Sequence, residues 1–125
     1  MDESEHRRDG TAETAEAEQI PAWAETVITA HVSVAGSAVS HAARLKSRRY
    51  FIWTEDGGED FCADNAHDER AVKGVTDLFT EREFDVWARR IGRAFDLAGM
   101  LWEYTGTTYE PDTKLFHHSW EWTVI

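Results

Sequence analysis

Seven carboxylates and no lysine or arginine fall between residues 55 and 69: Glu55, Asp56, Glu59, Asp60, Asp64, Asp68 and Glu69. Clustered oxygen donors are what a divalent cation needs, yet these lack the alternating ligand positions of a calcium loop. A solvated acidic loop facing a basic partner, a channel or water is the expectation. His31, His41 and His67 have no spacing that matches a zinc pattern. His117 and His118 are adjacent, so on a strand they point to opposite faces and cannot share one ion in the usual manner. The single cysteine, Cys62, excludes an intrachain disulfide and a cysteine-based zinc site. Between Phe61 and Ala63 it reads as a small apolar residue, with no neighbouring base to favour a thiolate. Glycine-rich phosphate loops, nucleophile elbows and paired-histidine zinc motifs do not occur. No catalytic, cofactor-binding or metal-binding residue is assigned, and a non-enzymatic role is expected. The basic counterparts are Arg44, Arg48 and Arg49 in one run and Arg89, Arg90 and Arg93 in another, both candidates for a subunit interface.

The element best signalled is a helix over about 81–98. Thr80 and Glu83 have the spacing of a capping box, and Phe79 and Phe84 that of a hydrophobic staple. Phe84, Trp87, Ala88, Ile91, Ala94, Phe95 and Ala98 recur at three- and four-residue intervals, and Gly99 suits the left-handed stop. Arg89, Arg90 and Arg93 fall off that stripe. Before it, Ile28, Ala30, Val32 and Val34 alternate with Val27, Thr29, His31 and Ser33, which predicts a strand from Thr26. Residues 38–48 are compatible with a short helix or an extended segment. Arg49–Thr54 is apolar on both faces, as an internal strand is, and a further strand is expected over Val72–Phe79. After Gly99 the chain reads as a hairpin, with Met100, Trp102 and Tyr104 on one row and Phe116, His118, Trp120, Trp122 and Val124 on the other. Pairing Trp102 with Trp122 and Tyr104 with Trp120 makes one continuous aromatic face. Glu110 then opposes Lys114, which calls for a loop of three or five residues with a bulge. The resulting expectation is an α+β fold: an antiparallel or mixed sheet of about five strands, with one long helix across one face and a C-terminal β-hairpin.

With 125 residues the chain is long enough for one domain with a real core. Residues 1–24, with seven acids against two bases before Ile20, read as an acidic N-terminal arm that docks through Trp23, and residues 25–125 as the domain. A formal charge of −11 disfavours contact with phosphate backbones and anionic lipid and favours basic partners. No apolar run approaches the ~20 residues of a membrane span, and the first ten residues lack a signal-peptide layout. Six tryptophans point to a heavily aromatic core or a large protein interface.

Several stretches resemble one family: Arg49 to Gly57, then Thr76-Asp77-Leu78-Phe79-Thr80, Glu83-Phe84-Asp85, Tyr109-Glu110, Thr113, His117 and Trp120. These are similar to small, mostly uncharacterised proteins encoded in the head–tail and tail modules of long-tailed phages and prophages. The resemblance covers the last three-fifths of the chain. It implies a tail terminator or tail-completion component, assembled in the host bacterial cytoplasm into the virion. It also implies a homo-oligomeric ring, such as a hexamer, that contacts tail-tube and head-completion proteins and requires no cofactor. DNA would pass through the ring without tight binding, and the acidic loop would line its lumen, because close phosphate contacts would oppose passage. Composition alone also permits a different class, an acidic DNA mimic that occupies the basic groove of a nuclease or other nucleic-acid-binding protein.

Overall fold

The computed structural model describes residues 19–56 and 71–125. Two helices and five strands follow in the order α1 (Ala22–Ala35), β1 (Val39–His41), β2 (Arg49–Glu55), β3 (Val72–Thr80), α2 (Val86–Leu97), β4 (Leu101–Glu110) and β5 (Leu115–Val124). The strands form one mixed sheet in the order β1-β2-β3-β5-β4. Only the β1–β2 pair is parallel. The fold class is α+β, with the C-terminal hairpin in place.

One long helix gives way to two. The segment expected as a strand from Thr26 is α1. Ala24, Val27, Ala30 and His31 are its buried residues, a three- and four-residue spacing that competes with the alternation of the same stretch. The alanines favour a helix and the β-branched residues a strand, so covering the sheet decides between them. The helix begins where Pro21 accepts from the N–H groups of Ala24 and Glu25, and it ends at Gly36 with φ of 61°. Trp23 meets Trp53 edge-on at 6.2 Å, so packing against the sheet starts inside the stretch read as an arm.

Both helices lie on the same face of the sheet. Their residues Val27, Ala30, Ile91, Ala94 and Phe95 pack with Phe51, Trp53, Leu78, Trp120 and Trp122 to make the main core. At its centre a chain of hydrogen bonds runs in one direction. The indole N–H of Trp122 donates to Thr76 Oγ1 at 2.9 Å, Thr76 Oγ1 lies 2.7 Å from His31 Nε2, and His31 Nδ1 lies 2.7 Å from the Val27 carbonyl. A carbonyl only accepts, so Nδ1 carries the proton, and neutral His31 receives the threonine hydroxyl at Nε2. Burial, opposed by the Val27 carbonyl, lowers the pKa of His31 to about 4 and keeps it in that neutral form.

The other face carries a smaller apolar cluster, Tyr50, Ile52, Phe79 and Leu115. Residues 42–48, left open by the sequence, are irregular. They return the chain from β1 to the start of β2 and bring Arg44 onto this face, with its guanidinium 3.9 Å from the centre of the Phe79 ring.

The start of α2 is also corrected. Thr80 is the last residue of β3, paired with both Arg49 and Phe116, and so belongs to the sheet. The cap is Asp85, whose carboxylate accepts the N–H of Trp87 at 2.9 Å. Phe79 lies on the opposite face of the sheet from the helices and Phe84 is 90% exposed, so no staple forms. The hairpin pairs Trp102 with Trp122 and Tyr104 with Trp120, as expected. Its loop has four residues, not three or five, because the bulge sits inside β4 between Tyr104 and Gly106 and brings Glu110 opposite Leu115. Lys114 closes the turn with φ of 62° and an N–H donated to the Glu110 carbonyl.

Candidate functional site

Where β4 lies decides what it can do. It is the last strand of the sheet, and nearly all of its ten residues are exposed. Among the described residues nothing pairs with its outer side. Leu101 is 60% exposed, Tyr104 46% and Tyr109 49%, an apolar display unusual for an edge strand. These side chains are held rather than loose. The Trp102 indole donates to Asp96 at 2.7 Å and lies over Gly92, where an added Cβ would come within 2.8 Å of its ring. Tyr104 packs against Trp120 with ring centres 5.4 Å apart, and Tyr109 against Phe116 at 5.0 Å.

Beside the strand a groove of about 360 Å³ opens between β4 and the start of α2, lined by Phe84, Val86, Ala88, Arg89, Tyr104 and His118, among others. His118 is buried, and its Nδ1 meets the hydroxyls of Thr107 at 2.9 Å and Tyr104 at 3.3 Å, which also bond one another. Burial holds its pKa below the ordinary histidine range, although the Arg82 backbone and the carboxylates of Asp85 and Glu83 pull the other way. Among the described residues His118 Nε2 is buried with no partner in hydrogen-bond geometry.

Two further polar clusters brace the sheet. Arg49 holds both oxygens of Asp85, at 2.8 and 2.5 Å, and stacks on Trp87. Thr80 donates to the same carboxylate at 2.7 Å. Burial raises the pKa of Asp85, but these donors together outweigh it and hold the carboxyl below its usual range. On the open face Asp77 Oδ1 receives His117 Nε2 at 2.7 Å and the Ser119 hydroxyl at 2.6 Å. Burial is again outweighed, and Asp77 stays below its usual range. Serine, histidine and aspartate thus meet, but in the wrong order for a nucleophile. The nitrogen nearest Ser119, at 3.2 Å, is the one that donates to Asp77, so it has no lone pair with which to deprotonate the serine.

The described residues among those singled out from the sequence do not form one site. Glu55 bonds His41 at 2.7 Å, and Asp56 lines a second groove with Lys73, Glu103 and Glu121. Glu59, Asp60, Asp64, Asp68 and Glu69, with Cys62 and His67, lie outside the described residues, as does the arm to residue 18. Arg44 pairs with Glu110 at 3.0 Å, Arg48 with Glu81 at 2.5 Å and Arg49 with Asp85, all within the chain. Arg89, Arg90 and Arg93 are exposed on α2 and make no ion pair among the described residues. His31 is deep in the core and His41 on the surface, and no three potential metal ligands converge among the described residues. Sequence reasoning had the aromatic row of the hairpin but not the edge it forms. The signal for the edge was β4's glutamates, threonines and Gly106 among its aromatics, a composition poor for a strand flanked on both sides.

Compared with known proteins, the chain matches no family model, no curated protein and no solved structure.

Proposed function

We propose that this chain is a structural assembly protein, a tail terminator or tail-completion component at the head–tail junction of a long-tailed phage or prophage. It works by forming a homo-oligomeric ring through which DNA passes. The observation that carries the reading is β4, a ten-residue edge strand with Leu101, Trp102, Tyr104 and Tyr109 displayed outward. Such an edge favours pairing with another chain, and covering it is the simplest use of its apolar surface. The exposed Arg89, Arg90 and Arg93 add a basic face to a chain of net charge −11, which suits contact with an acidic neighbour. The acidic stretch from Glu55 onward would keep phosphates from adhering as DNA moves through the ring.

The test is to mix the purified chain with the tail-tube protein of a long-tailed phage and to measure particle mass by light scattering, with tube ends viewed by electron microscopy. Ring-sized species or capped tubes support the proposal. Uncapped tubes with the chain left in solution would overturn it, and competition with DNA for a basic nuclease groove would favour the mimic instead.

A further inference from the structure

We propose that the basic face of α2 is a docking site for the chain's own acidic arm, with Glu13, Glu16 and Glu18 set against Arg89, Arg90 and Arg93. The arm lies outside the described residues, and the inference concerns the free chain, whether or not a ring forms.

The helix itself lacks an acid to answer these cations. Arg89 and Arg93 are four residues apart and Arg90 and Arg93 three, so all three share one exposed stripe. Like charges at that spacing destabilise a helix, and an acidic cover would relieve them. The one acid within α2, Asp96, accepts the Trp102 indole instead. Among the described residues none of the three arginines has an ion-pair partner, unlike Arg44, Arg48 and Arg49.

Strand β2 fixes where the arm leaves the sheet. Arg49, its first residue, holds Asp85 at the start of α2, whereas Trp53, near its end, meets Trp23 in the first turn of α1. From there α1 descends to His31 against Phe51, while α2 ascends from Trp87 against the same Phe51 to Phe95 against His31. The helices therefore run antiparallel, and the chain enters α1 at the end of the sheet where α2 finishes. Leu101, just after α2, marks that end by pairing with Thr123, beside the level of Glu55 and Gly74.

Reach and charge then select the occupant. Arg93 lies about 6 Å and Arg89 about 12 Å back from the last residue of α2. Packed helix axes are about 10 Å apart, so the path from α1 is roughly 20 Å. An extended chain covers that in about six residues. Residues 13–18 are six residues with three glutamates and no base, whereas Arg7 and Arg8 come earlier, beyond the stripe. A segment tethered so close acts at an effective concentration of about a millimolar, ahead of an untethered acidic partner at lower concentration. The arm thus covers the basic face first, and an acidic neighbour has to displace it.

The experiment places a spin label on Ala15→Cys in a Cys62→Ala background of the full chain and records amide signals by NMR. Signals of residues 89–93 should lose about half their intensity at physiological salt and recover it in about 1 M salt, where charges are screened within about 3 Å. Replacing Glu13, Glu16 and Glu18 together by glutamine should abolish the loss. Exchanging the charges, with those three as lysine and Arg89, Arg90 and Arg93 as glutamate, should restore it, which a general disturbance of folding would not do. Undiminished signals in the otherwise native chain would overturn the inference, as would a loss that the glutamine changes leave unmoved. So would broadening that arises only from label on a separate, unlabelled-nitrogen chain mixed in, because the arm would then be reaching a second copy.

Discussion

His31 Nε2 and Thr76 Oγ1 meet at 2.7 Å in a fully buried setting, and through this bond helix α1 is keyed to the central strand of the sheet. His31 also sits edge-on to Phe51 and Phe95, each 5.5 Å away, so its ring fills an aromatic cage while both nitrogens are satisfied. A histidine held neutral in this way stabilises the fold only while it stays unprotonated. Its folded pKa of about 4 lies below the ordinary value of 6.5, so protons favour the unfolded chain. The stability is complete above about pH 6.5 and is lost as the pH falls toward 4, about 3 kcal/mol in all. Urea unfolding across that range should show the decline, and NMR should find the His31 ring uncharged at pH 5.5.

Asp85 is the point where sheet, turn and second helix are tied together. Its side chain is inaccessible, while that of Arg49 remains 29% exposed. Asp85→Ala removes the helix cap and leaves the guanidinium half-buried without its partner, a loss of about 3 kcal/mol measured by chemical unfolding. Because the folded pKa of Asp85 is depressed, its contribution is present above about pH 3.9 and disappears as the pH falls through the lower folded value. This acid window lies below that of His31.

Phe84 is expected to matter little to folding. A staple residue replaced by serine would loosen the start of its helix, but this side chain is 90% exposed. Phe84→Ser should change stability by no more than about 0.5 kcal/mol. Phe95→Ala, in the last turn of α2 and wholly buried, should cost about 3–5 kcal/mol in the same unfolding assay.

Gly74 makes room for a tryptophan. A Cβ at this position would lie 2.3 Å from the Trp122 ring and 2.6 Å from the Thr54 carbonyl, and neither can move freely because one is core and the other backbone. Gly74→Ala should therefore destabilise the protein by about 3 kcal/mol. The Trp122 environment should change with it, visible in tryptophan fluorescence and near-ultraviolet circular dichroism.

Much of the sheet could be read from local pattern. Arg49–Glu55 and Val72–Thr80 were expected within a residue or two, and the partners of Trp102 and Tyr104 followed from the need to keep aromatic residues on one face. These features depend on neighbours close along the chain, or on a single hairpin whose two strands constrain each other. The first helix was misread because the stretch from Val27 to Val34 alternates while Val27, Ala30 and His31 within it also have helical spacing, and the choice lay with Phe51, Thr76 and Phe95, distant in sequence. Thr80 and Asp85 are both good caps taken alone. Pairing of Thr80 with Arg49 and Phe116 drew it into the sheet and left the helix to start at Asp85.

The candidate site divides in the same way. Its side chains, the aromatic row and the cations of α2, were present in the periodicity. Their meaning came from the order of strands. Insertion of β5 between β3 and β4 places Trp120 and Trp122 in the core and leaves Leu101, Tyr104 and Tyr109 at an open edge. Periodicity records which side of a strand is apolar but not which neighbour will cover it. That assignment is made by pairings that link residues far apart in the chain, and it is what turns β4 from one more strand into the open edge of the sheet among the described residues.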